Sequence, residues 1–374
     1  MERINTRIKD EHALELGLTI NKSGQYRISR EQYNELVNIR SLEKTTEYKQ
    51  YLDEQGISED SVSAYWDKSD KFSILVRPNQ PTPVSNDDFI NNIIEKVSSH
   101  SPKYDKLPQL VKESDNLLVI DIADAHFGKL SSSYETGESY NIEVARQRVL
   151  EGVSGIVSKG RSFGIDKVLF IIGNDVLHYD TPKKTTTSGT PQDSDVMFFD
   201  MFNTAIDVHV EIIESLIQEF EVDIMFCPSN HDYQSGWYFA KTLSAWFRNC
   251  DRVTIDDSIA HRKYYQFGKN LIGASHGDGA KMQDMPLLMA NEVPALWADT
   301  VFRYVFLHHI HHKQRNHFQS GKDYIGVTVE YLRSPSSSDS WHYRNGYVGA
   351  KKAIEGFIHN KVDGQIARLS HYFK

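Results

Sequence analysis

With 374 residues, 39% of them hydrophobic and 25% charged, the chain has the makeup of a folded protein with room for one large domain and a smaller one. A net charge of −9 excludes a polycation that coats nucleic acid, so any contact with DNA or RNA has to come from a local basic face or from bound metal ions. No apolar run approaches the roughly 20 residues that cross a bilayer, and Met1-Glu2-Arg3-Ile4-Asn5 carries no apolar signal core, so no membrane partner and a cytoplasmic location are expected.

The first 50 residues hold nine basic and eight acidic side chains, a balance of +1 that leaves −10 for the rest. Glu11 to Gly17, a turn through Asn21-Lys22-Ser23-Gly24, and Ser29 to Ile39 read as two short helices, with Ser29 as N-cap of the second. The pair is compatible with a helix-turn-helix and equally with a plain helical hairpin. Ser61 to Pro78, with Tyr65, Trp66, Phe72, Ile74 and Val76, reads as a small β element. The run from Gln80 to Asp88 is rich in Pro, Ser and Asp and reads as a linker, followed by a polar stretch from Ser99 to Ser114. The expected organisation is a small N-terminal domain over 1–79, a linker over 80–114 and a main domain over 115–374.

In the main domain apolar strands alternate with helices. Leu117-Leu118-Val119-Ile120-Asp121-Ile122 and Lys167-Val168-Leu169-Phe170-Ile171-Ile172 are strands, and Asn141 to Lys159 between them is helical. Ile206, Val210, Ile213, Ile217 and Phe220 recur at helical spacing before a third strand over 222–227. A helix over 236–249, strands near 270–275 and 304–308, and a helical stretch over 283–299 complete the pattern. Near-continuous apolar strands separated by helices predict an α/β domain with a buried sheet. Cys227 sits in the third strand and Cys250 closes a helix, so both are expected as free packed thiols.

Each of these strands runs into metal-ligand chemistry. The endings are Asp124-Ala125-His126-Phe127-Gly128, Gly173-Asn174-Asp175-Val176-Leu177-His178, Ser229-Asn230-His231-Asp232, Ser275-His276-Gly277-Asp278 and His308-His309-Ile310-His311-His312. Sites in α/β sheets form where the carboxyl ends of strands converge, and Asp, His and Asn without thiolates suit Mn²⁺, Fe²⁺ or Zn²⁺. Singly, each motif is a turn or a packed histidine; five in this order point to one metal centre.

The five motifs resemble those of the calcineurin-like metallophosphoesterase superfamily, over about residues 117–312. His178, three residues after Asp175, is most similar to the double-strand-break repair nucleases, and the Asp-Arg pair of the protein phosphatases is missing there. Thr185 to Thr190 and Trp341 to Tyr347 resemble uncharacterised phage-encoded members, which would make the location the host cytoplasm. Three positions depart from the pattern: Asn174 is inserted before Asp175, Ser229 replaces a glycine before Asn230, and His308 replaces a glycine before His309.

The resemblance implies a four-layer α/β/β/α sandwich and two divalent cations, Mn²⁺ first, with Fe²⁺, Zn²⁺ or Mg²⁺ as alternatives. One cation would be held by Asp124, His126, Asp175 and His311, the other by Asp175, Asn230, His276 and His309, with Asp175 bridging. His231 would stabilise or protonate the leaving oxygen, and His178 would orient substrate or assist it. Asp121 is expected to be structural, Asp232 and Asp278 to fix ligand tautomers, and His308 and His312 to be bystanders. Lys183 and Lys184 either contact a phosphate backbone or sit in a solvated loop. The expected activity is a dinuclear phosphodiesterase, read first as a DNA nuclease, with a phosphatase for small phosphoesters or a non-catalytic DNA-binding protein as alternatives. Nucleic acid is the expected partner, with a homodimer or a repair-type subunit beside it.

Overall fold

The computed structural model describes residues 114–309, 321–347 and 349–373, together with short stretches at 4–6, 26–28, 31–32, 34–35, 50, 52–53, 65–68, 73–76, 102–104 and 106–110. The chain divides into two compact units, Met1–Asn86 and Asp87–Lys374. In the first, β1 (Ile4–Thr6) pairs antiparallel with β2 (Tyr26–Ile28), and β3 (Tyr65–Lys68) with β4 (Ser73–Val76). The helix-turn-helix expectation falls on residues outside those described, apart from 31–32 and 34–35, which are helical.

The second unit is built on three strands with no polar face to expose. β5 (Asn116–Asp121), β6 (Lys167–Gly173) and β7 (Glu221–Cys227) are apolar at successive positions, which suits strands covered on both sides. They run parallel at the centre of a six-stranded sheet of order β15-β14-β5-β6-β7-β8, where β8 is Val253–Asp256, β14 is Ala353–Asn360 and β15 is Gly364–Tyr372. β14 pairs antiparallel with both β5 and β15.

The two-residue period of the strands sorts their side chains. Leu118, Ile120, Phe170, Ile172, Ile224 and Phe226 join the core formed with the helices Ile142–Gly160 (α1), Phe198–Leu216 (α2) and Tyr233–Trp246 (α3). Leu117, Val119, Leu169, Ile171, Met225 and Cys227 share a second core with Ile272, Ala274 and Phe306 of the other sheet. Asn141 starts α1 as its N-cap, accepting a hydrogen bond from the Val144 N–H at 2.9 Å.

That other sheet has five strands in the order β12-β13-β11-β10-β9: β9 Arg262–Phe267, β10 Asn270–Ser275, β11 Phe302–Leu307, β12 Gly321–Tyr324 and β13 Val327–Tyr331. β10, β11 and β13 are parallel. Its outer face packs Leu271, Val305, Leu307 and Val329 against Met285 and Met289 of α4 (Met285–Glu292). The single helix expected over 283–299 is two, α4 and α5 (Pro294–Asp299), because Pro294 has no N–H to continue the first and starts the second instead. The second unit is thus a mixed α/β fold with two large sheets and covering helices. Among the described residues, no helix is long and apolar enough to cross a membrane.

Parallel pairing brings the carboxyl ends of β5, β6 and β7 to one edge and those of β10 and β11 to the same side of their own sheet. The loops beyond β5 and β6 are stitched together. The N–H groups of Asp124, His126 and Phe127 donate to the carbonyls of Asn174, Asp175 and Val176 at 2.9 Å each, and His178 N donates back to Phe127 O. Gly173 makes the approach possible: its φ is +89°, and a Cβ there would lie 2.2 Å from the Cys227 carbonyl oxygen. Gly173→Ala is therefore expected to lower stability by about 2 kcal/mol or more, since strain and overlap with backbone add; chemical denaturation measures it, and a neutral result would mean the loop does not need this conformation.

Candidate metal centre

The sharp turns after each strand carry the chemistry. Of the seven non-glycine residues with positive φ among those described, four are expected ligands, Asp124 (52°), His126 (47°), Asp175 (61°) and His309 (68°), and a fifth, Asn174 (53°), directly precedes one of them. Aspartate and asparagine tolerate this region better than histidine does, and each residue held there still costs roughly 1 kcal/mol. Strain concentrated on candidate ligands and on the residue before Asp175, with only Lys184 and Ile325 besides among the described non-glycine residues, marks where the fold gives up backbone comfort to aim side chains.

The aim is common. Asp175 is fully buried, and its Oδ2 receives no well-directed hydrogen bond, lying 3.2 Å from His276 Nε2 and 3.9 Å from His126 Nε2. Its Oδ1 accepts from the His231 N–H at 2.9 Å. Around His276 Nε2 also stand Asn230 Oδ1 at 2.8 Å and His309 Nδ1 at 3.2 Å. Four electron-pair donors thus crowd one point, and the two oxygens among them can only accept. Asp124 is also fully buried; its carboxylate oxygens each accept from the His309 N–H at 3.2 Å, and Ser334 Oγ donates to its carbonyl.

Two groupings of ligand atoms follow, Asp124, His126 and Asp175 in one and Asp175, His276 and His309 in the other, with Asp175 in both. A third, His126, His178 and His231, is made of imidazoles alone. His311, expected as a ligand of the first set, lies outside the described residues, as does His312.

The electrostatics fit a cation. Burial pushes Asp124 up to about 7, against the pull of His276. Burial and the neighbouring Asp175 also push Asp232 up to about 7. Asp175 is held below the usual carboxylate range although burial opposes it, because His276 and His231 face it. His276 rises to about 9 despite burial, drawn by Asp175 and Asp124. Asp175 raises both Asp124 and Asp232, so three buried carboxyl groups stand close enough to feel one another, and divalent cations held by Asp124 and Asp175 would relieve that repulsion.

The departures from the family pattern turn out to be partners. Asn174 Nδ2 lies 3.3 Å from His308 Nε2, 134 residues away in the chain. His308 is fully buried, with Nδ1 at 2.8 Å from the Ser275 carbonyl and Nε2 at 2.9 Å from Asp121 Oδ1. So His308 is no bystander: β11 ends at Leu307, the chain turns, and the ring drops between the sheets to join β5 to the ends of β6 and β10. Each residue it touches comes directly, or three positions, before a candidate ligand.

Ser229 works similarly on the other flank, accepting from the Asp175 N–H at 2.7 Å and donating to Asp232 Oδ1 at 2.6 Å. Asp232 also accepts from Leu177 N at 2.8 Å, so it steadies the Asp175 loop rather than a ligand histidine. Asp278 is exposed. Ser229→Ala would leave the buried Asp175 N–H and one Asp232 oxygen unpaired, for an expected loss of about 1–3 kcal/mol in a denaturant titration. An unchanged midpoint would mean that this relay holds nothing.

His178 and His231 face a cleft of about 410 Å³, together with His309. Carbonyl oxygens only accept, so His231 Nδ1, 2.8 Å from His178 O, carries its proton and Nε2 is left for the cleft. His178 stacks on His231 at 5.5 Å and 24°, and burial holds it well below the usual imidazole range. The cleft is also lined by Gln192, Asp193, Asp339, Trp341, His342 and Tyr347. Asp339 joins buried Lys129 (3.1 Å) to His342 Nδ1 (2.7 Å). The sequence pattern assigns no role to 341–347 and does not single out Lys129 or Asp339; the Asp-x-x-His spacing, an N-cap beside its own helix's histidine, is the available signal. Lys183 is exposed, and Lys184 Nζ donates to the Ser194 carbonyl at 3.3 Å; neither lines the cleft.

No family model matches the chain, and no curated protein does. Among solved structures, it is similar to an uncharacterised predicted phosphoesterase from Streptococcus pneumoniae, at 12% identity and a TM-score of 0.26, covering 70% of this chain and 99% of the other. A Vps29 double mutant from Entamoeba histolytica aligns at 13% identity and a TM-score of 0.27, covering 69% of this chain and 99% of that one. Overlap at these scores carries no argument about fold or chemistry.

Proposed function

We propose that the protein is a metal-dependent phosphodiesterase that hydrolyses nucleic acid at this centre. The observation that carries the reading is the position of Asp175: one buried carboxylate oxygen, without a well-directed hydrogen bond, faces an imidazole of each of two ligand groupings. A carboxylate can offer electron pairs to two cations at once, which no neutral side chain here can match. Asp124, His126 and Asp175, with His311 by resemblance, would hold one cation; Asp175, Asn230, His276 and His309 the other. Divalent cations bound there would supply a water that ionises near neutral pH and would neutralise the phosphate under attack.

The chain's own groups do the rest. His231, with its Nδ1 proton held by the His178 carbonyl, presents Nε2 to the cleft. Protonated, that nitrogen gives its proton to the ester oxygen as the P–O bond breaks, and the imidazole is left neutral. His178, buried and stacked on the His231 ring, keeps that ring from turning. Burial of Asp124 and Asp175 excludes water that would screen the phosphate's charge. His178 and the absence of an Asp-Arg pair after Asp175 favour a diester over a phosphoprotein.

End-labelled DNA incubated with Mn²⁺ tests the reading. Degradation that stops with chelator and returns with Mn²⁺ is expected. Hydrolysis of a phosphomonoester but of no diester would replace it with a phosphatase, and DNA binding without turnover under any divalent metal would end the enzymatic reading.

A further inference from the structure

The wall of the cleft formed by Asp339–Tyr347 has no part in the chemistry above, yet it is built to hold one exposed ring still. Asp339 anchors α6 (Ser340–Arg344) as its N-cap, accepting from the His342 N–H at 3.0 Å, and is itself tied to buried Lys129. Ser340 hydrogen-bonds Glu135, Asn345 Nδ2 donates to the Trp341 carbonyl at 2.8 Å, and Tyr347 N donates to the His342 carbonyl at 2.8 Å. Against that fixed frame the Trp341 side chain is 61% exposed, with His342 packed edge-on at 5.2 Å and Tyr347 at 5.5 Å. A rigid indole left in water beside a polar catalytic floor is a binding surface waiting for an aromatic partner.

Resting on the phosphodiesterase reading, we infer that Trp341, steadied by His342 and Tyr347, stacks a base of the substrate, so that the cleft takes an unpaired nucleotide with its phosphate towards Asp175. Charge narrows the occupant. Among the described residues lining the cleft there is no lysine or arginine; Asp193 stands exposed, and the charge of Asp339 is met by Lys129 behind it. A duplex tracked along both backbones needs cations spaced along the groove, and the described lining supplies no lysine or arginine for it. A single base has no charge to repel, every base has a face to stack, and Gln192 and Asp193, which also line the cleft, offer hydrogen-bonding groups to its edge. The volume of about 410 Å³ suits one small-molecule-sized group rather than a helix of nucleic acid.

The test uses the full-length protein with Mn²⁺, a single-stranded oligonucleotide, the same strand with an abasic residue at the cleaved position, and its duplex. Trp341→Ala is expected to raise KM on the base-bearing strand about ten- to hundredfold, with Trp341→Phe recovering most of it. The wild type should fall to the variant's level on the abasic strand, where the substitution should add nothing, and the duplex should be the poorer substrate. Equal behaviour of wild type and Trp341→Ala on the base-bearing strand, or the same loss on both strands, would overturn the inference. So would a loss confined to aryl phosphomonoesters. Binding of a fluorescent oligothymidylate to Asp175→Asn separates the two readings: binding that depends on Trp341, with no turnover by the wild type, keeps the stacking site and removes the nuclease, whereas absence of binding removes the stacking site.

Discussion

Asp175→Asn is expected to lower metal-dependent diester hydrolysis by about a thousandfold or more, with the fold intact. The substitution is narrow. Asparagine keeps the Oδ1 acceptor that receives the His231 N–H, and it tolerates the φ of +61° that this position requires. What it removes is the negative charge on Oδ2, the atom that faces His276 and His126. If that charge serves two cations, losing it forfeits several kcal/mol of stabilisation in the transition state, and each 1.36 kcal/mol is about tenfold in rate. Steady-state kinetics with circular dichroism as a check on folding would measure it. Retention of a tenth of the activity would show that Asp175 is not shared.

His308→Ala is expected to act on stability and on metal affinity together. His308 and Asp121 are both buried, and Asp121 Oδ1 has the imidazole as its partner at 2.9 Å while Oδ2 has none. Removing one member of such a pair strands the other, which costs about 3–5 kcal/mol. The same ring fixes the Ser275 carbonyl before His276 and Asn174 before Asp175, so Mn²⁺ affinity should fall about ten- to a hundredfold, as when groups that orient ligands are lost. Asp121→Asn in the same background should restore part of the stability by discharging the stranded carboxylate. Denaturation of the metal-free protein and calorimetric titration with Mn²⁺ read the two effects. A change under 1 kcal/mol with unaltered affinity would reduce His308 to filler.

The strands were legible because burial on both faces leaves no polar alternation: the runs at 117–122, 167–172 and 222–227 have little else they can be. The ligand types were legible because Asp, His and Asn after such strands are chemically conspicuous. What joins them was not. Nothing local to Asn174 or to His308 says that they meet, because the meeting depends on how two sheets stack, and sheet stacking is settled by volumes in the shared core around Phe306 and Phe357. Ser229 likewise reads as a lost glycine until Asp232 stands beside it. Turn geometry is equally silent in sequence, since histidine at φ +47° or +68° is held by its surroundings and not by its own preference. The second cleft wall escaped for a different reason: Lys129 and His342 lie 213 positions apart and are linked only through Asp339.

Anomalous diffraction from crystals grown with Mn²⁺ tests the shared carboxylate most directly. Two anomalous peaks flanking Asp175 are expected, one beside Asp124 and His126 and one beside Asn230, His276 and His309. A single peak that leaves Asp175 unligated, or cations bound only elsewhere on the surface, would take away the dinuclear centre and the hydrolytic chemistry built on it.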